Sequence, residues 1–372
     1  MKLNFFLTMG VVCLVASVSF AAGPKKHRKI QKPPIKLGTT GGNVSDFRDT
    51  DTAPFCLDGS LGALVQKGSK QYILSDAGVL ARHFDDGKKG DPIIQPGLQH
   101  TKGGKCNADS PKNNTVADLS KFVKVKFNKN NKAHGGLAEV RPGMVDPQGK
   151  IIGIGIPGGH TVKPAVGQRV KKSGPGTGVK LGTVIARNFS NPVGFGWPPG
   201  SAPFANFVKQ LIVESNSNKP LVVSGDEGSV FFEDKKNCPG WVGLTVGATP
   251  DGQIVLVTPI NVVLNELKNG KPKGPFKPVG CDSAVAAVEE PESLEMQQAM
   301  LDAEAIQDQV ENEVMLLPGV IGMGIGVAKD NPEEVVFKIL VEDDTEAIRE
   351  NIPERLGKVR SEIVVTGRFS AF

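Results

Sequence analysis

The middle of the chain consists of short apolar runs that Gly, Pro and Asn interrupt every few residues, from about residue 51 to about residue 267. Such runs have the length and spacing of strands in β-barrels and β-sandwiches, and strand–helix alternation is absent from them. The 45 Gly and 27 Pro among 372 residues also disfavour a helical bundle. The predicted strands include 61–65, 72–75, 122–127, 151–156, 211–214, 221–224, 242–246 and 254–257.

The N-terminus has the pattern of a secretory signal peptide. Met1 and Lys2 form a short charged region, 5–20 is mostly apolar, and Ser19 and Ala21 satisfy the small-residue rule for cleavage. We therefore predict a signal peptide at 1–21, and an uncleaved membrane anchor is disfavoured because the apolar stretch is short. No comparable run follows, so we expect no transmembrane segment and a secreted or periplasmic location.

Four cysteines follow the predicted signal peptide: Cys56, Cys106, Cys238 and Cys281. An even number of cysteines in an oxidising compartment predicts two disulfides. Three pairings are possible, and we favour Cys56–Cys106 with Cys238–Cys281. A zinc site is disfavoured because no cysteine pair has CxxC spacing and no cysteine has a histidine close by in the sequence.

Residues 22–50 form a basic segment, and its stretch 24–36 contains six Lys/Arg and no acidic residue. We interpret this segment as a flexible, solvated arm. Contact with an anionic surface is the alternative that stays open. Because no aromatic residues interleave with the charges, we expect no specific nucleic-acid partner.

The sequence changes character near residue 269. A Pro- and Lys-rich stretch at 269–291 is interpreted as a linker, and helical apolar spacing begins at Met296. Predicted strands and a second helix follow, so 292–372 is expected to form a separate αββαβ domain. Residues 288–372 contain 19 Asp/Glu and 7 Lys/Arg, a net charge of −12, opposite in sign to the rest of the mature chain.

Three motifs stand in a fixed order along the chain. The first is CLDGSLGALV at 56–65 followed by YILSDAGVLA at 72–81, the second is NKAHGGLAEV at 131–140, and the third is VSGDEGS at 223–229. In this order they resemble a secreted bacterial branch of the chymotrypsin/trypsin-like serine proteases, which reads roughly LSNNHVLA, NxVDAAIAEV and GGDSGS. The resemblance implies a double β-barrel over 51–268, with the active site between the barrels.

The motifs depart from that family at all three catalytic positions. Gly78 stands where the family has its histidine, His134 where it has its aspartate, and Glu227 where it has its serine. The chemistry needs a hydroxyl nucleophile, an imidazole to accept its proton and a carboxylate to orient the imidazole. We therefore expect no catalytic residues, and a pseudoprotease that binds a peptide or protein ligand in the old cleft.

An active protease or other hydrolase that uses displaced residues is the alternative. His83, Ser224 and Ser229 lie near the motif positions, but a shift of two to five residues points a side chain elsewhere. The oxyanion-hole positions Gly225 and Glu227 remain in the third motif, so a carboxylate at 227 would lie at or near those N–H donors.

No metal or cofactor is expected. His134 and Glu227 are only two candidate ligands for a metal ion, which is too few for a site. The glycine-rich stretches 153–155 and 322–326 lack the GxGxxG spacing followed by a helix that a nucleotide loop requires.

Overall fold

The computed structural model describes residues 24–48, 55–83, 85–100, 106, 115–196, 202–269, 274–282 and 293–371. The predicted signal peptide at 1–21 lies outside these residues. The chain is mostly β and forms the predicted chymotrypsin-like double barrel with a C-terminal α/β unit. None of the helices in the described ranges has both the length and the apolar character needed to span a membrane.

The first barrel is built from one curled sheet. Two short helices, α1 (Lys25–Arg28) and α2 (Ala77–Leu80), flank it, and strands β1 to β9 are Thr39–Asn43, Phe47–Arg48, Phe55–Cys56, Gly59–Leu61, Ala63–Lys67, Lys70–Asp76, Pro92–Ile94, Thr115–Phe122 and Gly135–Val140. The order of its strands is β5-β6-β9-β8-β7-β1-β4, while β2 and β3 form a separate pair among the described residues. Because Gly62 alone separates β4 from β5, the two ends of this order meet and the sheet curls into a barrel.

The second barrel is a closed six-stranded sheet. Its elements β10 to β15 and α3 are Arg169–Gly174, Gly178–Gly194, Phe204–Ser215, Val230–Glu233, Trp241–Ala248, Ile254–Pro259 and the helix Ile260–Lys268. The order is β10-β13-β14-β15-β12-β11, and pairing of β10 with β11 closes the ring. Helix α3 places Ile260, Val263 and Leu267 in the apolar core of the first barrel, so the two barrels share buried side chains.

The C-terminal unit continues the sheet of the second barrel. Strand β16 (Lys277–Pro278) precedes this unit, whose elements are α4 (Leu294–Val314), β17 (Val320–Val327), β18 (Val335–Val341), α5 (Glu346–Asn351), β19 (Arg355–Leu356), β20 (Val359–Val365) and β21 (Phe369–Ser370). Strand β17 pairs with the long strand β11, and the order continues β17-β18-β20-β19. The predicted αββαβ pattern is present, but its sheet is joined to the second barrel rather than free of it.

Two predicted boundaries differ from the structure. Strand β1 pairs with β4 and β7, so the first barrel begins before residue 51 and the basic segment is not a free arm. Its His27 is buried and contacts Ser173 across 3.1 Å (Nε2 to Oγ). The predicted linker at 269–291 also contributes to the barrel, because β16 pairs with β5.

Three of the predicted strands are wrong over part or all of their length. Strand β8 ends at Phe122, so most of 122–127 is loop, and 151–156 and 221–224 are turns and loop. The second and third of these runs contain buried residues for a reason other than strand pairing: Ile151 and Leu221 pack into barrel cores from connecting segments. Apolar content alone does not distinguish a strand from a buried loop.

The structure contains two disulfides, Cys56–Cys106 and Cys238–Cys281, the pairs favoured from the sequence. In the first, Cys56 directly precedes Leu57 and Asp58, two residues that line the cleft described below. The second joins the turn before β14 to the segment that follows β16, and so ties this segment to the second barrel.

Candidate functional site

The three positions singled out by the motifs lie in one cleft between the barrels. Gly78 is in helix α2, His134 directly precedes β9, and Glu227 is in the turn that leads to β13. The cleft is narrow: its cavity volume of about 20 Å³ is room for about one water molecule. Its described lining residues are Leu57, Asp58, Asp76, Gly78, Val79, His83, His134, Phe195, Glu227 and Ala371.

Gly78 leaves an open position in the cleft. Its N–H donates to Asp76 Oδ1 over 2.8 Å, which caps the N-terminus of α2. A Cβ at this position would lie 3.1 Å from Asp76 Oδ1 and 3.9 Å from His134 Cε1, and the backbone has no positive φ. Neither backbone conformation nor space therefore requires glycine here, and a side chain fits if Asp76 shifts by a few tenths of an ångström.

His134 is held between two carboxylates. Its Nδ1 lies 3.0 Å from Asp76 Oδ2 and its Nε2 lies 3.0 Å from Asp85 Oδ1, and the residue is 3% exposed. Both ring nitrogens can donate at once only in the imidazolium form. Burial opposes that charge, but the two carboxylates outweigh it and raise the pKa of His134 well above its usual value of 6.5. The ring therefore has no free nitrogen with which to accept a proton from a nucleophile.

Asp85 ties this histidine to the first barrel. Its Oδ2 accepts the Val125 N–H over 2.8 Å, and its side chain is 2% exposed. Burial alone would raise the pKa of Asp85, but the charge of His134 and the hydrogen bonds outweigh it and lower that pKa. The result is a buried Asp76–His134–Asp85 cluster in which one imidazolium lies between two carboxylates.

Glu227 occupies the N–H donors of its own turn. Its Oε2 accepts the Gly225 N–H over 2.7 Å, and its own backbone N–H also stabilises the carboxylate. Burial is the main reason that the pKa of Glu227 is raised well above its usual value, with the charges of Asp226 and Asp76 adding to it. These donors belong to residues 225 and 227, the two oxyanion-hole positions implied by the resemblance.

A buried ion pair at the neighbouring residue Asp226 stabilises the turn that contains Glu227. Lys172 Nζ lies 2.7 Å from Asp226 Oδ2, and both side chains are 0% exposed. Asp226 also accepts the Gly176 N–H over 2.9 Å and the Thr177 hydroxyl over 2.8 Å. Gly225 has φ +96°, in the region that favours glycine, so the residue types of this turn are explained by its backbone shape.

The displaced candidates do not form a nucleophile and base pair. Ser229 is fully buried, and no serine is among the described residues that line the cleft. His83 does line it, whereas His100 contacts Asp58 over 3.0 Å (Nδ1 to Oδ2). A serine and a histidine do contact each other outside the cleft, at Ser173 and His27. There the Ser173 hydroxyl donates its proton to the Ile152 carbonyl and not to the imidazole.

The described residues contain no group of three or more His, Cys, Asp or Glu side chains placed to hold a metal ion. His134 is committed at both nitrogens to carboxylates, so it has no lone pair to offer in this arrangement. A shared His134–Glu227 metal ion, considered from the sequence, has no support in the geometry.

Several residues of the cleft were missed from the sequence. Asp85, which contacts His134 behind the cleft lining, lies 49 positions before it, and Phe195 reaches the cleft from the far end of β11, with its ring 5.4 Å from the His134 ring. Ala371 belongs to the C-terminal unit, which was expected to be separate. The only available signal was the acidic pair Asp85–Asp86 shortly after the first motif.

No family model matches the chain, and no curated protein matches it. Among solved structures, Protease A of Thermobifida fusca has 16% identity and a TM-score of 0.39, covering 64% of this chain and 98% of its own. A glutamic acid-specific serine protease has 16% identity and a TM-score of 0.41, covering 66% and 100%. The alpha-lytic protease homolog N4 has 15% identity and a TM-score of 0.41, covering 63% and 96%.

Proposed function

We propose that this chain is a secreted or periplasmic serine-protease homologue that does not hydrolyse peptides and binds an extended peptide or protein segment in the cleft between its barrels. The observation that carries the proposal is the position of Glu227. Its carboxylate accepts the N–H groups that would have to stabilise a substrate oxyanion, and it stands where a hydroxyl nucleophile would be needed.

The other two positions support the same reading. Gly78 provides no proton acceptor, and both nitrogens of His134 are bound to carboxylates. A catalytic base must be near its nucleophile and able to accept a proton at working pH. An imidazolium with a raised pKa meets neither requirement. His134 therefore does not replace the proton acceptor that is missing at Gly78.

The cleft nevertheless keeps the framework of a binding site. The Lys172–Asp226 pair fixes the turn that carries Gly225, and the shared core of the two barrels fixes the cleft walls. Clefts between rigid units that expose backbone donors and acceptors are suited to extended peptides, which pair through their main chain.

The test is covalent labelling. The folded protein is incubated with a fluorophosphonate probe, and its intact mass is measured beside that of an active trypsin-like protease as the control. We expect no mass increase for this chain. Stoichiometric labelling that is lost in Ser224→Ala or Ser229→Ala would contradict the proposal and support an active hydrolase with a displaced nucleophile.

A further inference from the structure

The C-terminal strand of the chain brings the residue that follows it, Ala371, to the same cleft. Strand β21 pairs in parallel with the end of β11, with Val193 opposite Phe369, and antiparallel with β14, with Ala248 opposite Ser370. The Ala371 N–H then donates to the Gly194 carbonyl over 3.0 Å. Ala371 lines the cleft together with Gly78, His134 and Glu227.

The segment is held by backbone pairing and one aromatic side chain. Phe369 is 0% exposed and packs in a cluster with Phe189 and Phe207, and Ser370 is 4% exposed. The ion pair of Arg368 with Glu342 is solvent-exposed, and such pairs contribute little to stability. The segment is therefore bound as an extended peptide is bound, through main-chain hydrogen bonds and a buried anchor.

The surface that receives this strand is shaped for it. A Cβ at Gly247 would lie 2.6 Å from the Ser370 carbonyl oxygen and 3.0 Å from its carbonyl carbon. Gly247 has no positive φ, so the backbone itself does not require glycine there. The close approach of residue 370 is the reason that a side chain at 247 is not tolerated.

We propose that residues 369–371 are an intramolecular ligand that occupies the peptide-binding cleft and competes with external peptides. This inference rests on the proposed function and specifies the peptide class: an extended segment with an aromatic residue followed by two small residues. A tethered segment has a local concentration on the order of millimolar. An external peptide of moderate affinity should therefore bind the intact chain roughly tenfold or more weakly than it binds a chain whose tether has been cut.

The experiment uses a chain with a specific protease cleavage site inserted between Gly367 and Arg368, so that the protein folds before the tether is cut. A fluorescent peptide with the sequence of residues 367–372 is then titrated against cut and uncut protein by fluorescence anisotropy. We expect the peptide to exchange into the cut protein and to bind the uncut protein about tenfold or more weakly. A scrambled peptide should bind neither.

Two glycine variants of the cut protein show where the peptide binds. Gly247→Ala should abolish binding, because the added Cβ meets the backbone of residue 370. Gly159→Ala is the matched control, since its Cβ would have no neighbour closer than 3.6 Å and its binding should equal that of the parent.

The outcomes separate this inference from the proposed function. Equal peptide binding by cut and uncut protein, or binding that Gly247→Ala leaves unchanged, would overturn the intramolecular ligand, while absence of hydrolysis would still stand. No peptide uptake by the cut protein would overturn it as well. If the cut protein took up the peptide and hydrolysed it, the tail would be the resident ligand and the non-hydrolytic function would be wrong.

Discussion

Replacing Lys172 by Met should cost about 3 kcal/mol of unfolding free energy. Both charges of the Lys172–Asp226 pair are 0% exposed and 2.7 Å apart, and breaking such a buried pair on one side typically costs about 3–5 kcal/mol. Asp226 would keep the Gly176 N–H and the Thr177 hydroxyl as donors, so we place the loss at the lower end of that range.

The assay is urea unfolding followed by tryptophan fluorescence, because Trp241 of β14 is fully buried. Lys89→Met is the control, since Lys89 is exposed, and it should stay within about 0.5 kcal/mol of the wild type. The double variant Lys172→Met with Asp226→Asn removes the orphaned charge and should regain part of the loss. A single variant as stable as the wild type, or a double variant less stable than the single one, would refute this reasoning.

Three further predictions concern His134, Glu227 and the Cys238–Cys281 disulfide. Because the folded-state pKa of His134 is raised above 6.5, its stabilisation is complete below about pH 6.5 and is lost as pH rises through that pKa; urea midpoints should fall there in the wild type and less in His134→Gln. The pKa of Glu227 is raised from 4.5 by burial, so its ionisation destabilises the fold as pH rises; Glu227→Gln should match the wild type near pH 4 and exceed it in urea midpoint near pH 8. Cys238 and Cys281 are 43 residues apart, so changing both to Ala should lower the unfolding free energy by up to about 4 kcal/mol, measured by the same urea titration.

The sequence predicted those helices and strands that have a clear apolar pattern of their own. The αββαβ unit follows directly from helical spacing in α4 and continuous apolar runs in β17 and β18. The favoured disulfides are confirmed, but not because of a local pattern. Each joins two cysteines 50 or 43 residues apart, and the fold brings the two ends of that loop together.

Relations between distant segments were not predictable from the sequence. The long strand β11 has few continuous apolar residues, yet its start pairs with β10, its middle with β17 and its end with β21, and it thereby joins the C-terminal unit to the second barrel. Opposite net charges of the two parts indicated attraction, and the structure joins them both by main-chain pairing of β11 with β17 and by an ion pair between Arg187 and Glu304 over 3.3 Å. Charge is a property of composition, whereas strand register depends on which residues face each other.

In the candidate site, too, the residues within motifs were predicted and a contact between distant segments was not. The motifs located Gly78, His134 and Glu227, and the turn around Gly225 predicted that a carboxylate would meet the N–H donors. Asp85 could not be predicted, because its role arises only where its loop approaches the start of β9. Its presence explains how His134 can be buried as an imidazolium between two carboxylates.

The most direct test of the central claim is to restore the missing chemistry and measure hydrolysis of an activated ester. Gly78→His, His134→Asp and Glu227→Ser supply the three residue types. We also include Asp76→Asn and Asp85→Asn. Both carboxylates lie 3.0 Å from a ring nitrogen of His134, so an aspartate at 134 would be placed between two other negative charges.

The account predicts no hydrolysis above background by the wild type and measurable turnover by the folded five-substitution variant, since the Gly225 N–H is then free for an oxyanion. The variant that keeps Glu227 and carries the other four changes is the matched control, and it should be inactive. Turnover by the wild type, or a folded five-substitution variant as inactive as its control, would contradict the claim that these positions form a protease site closed by Glu227.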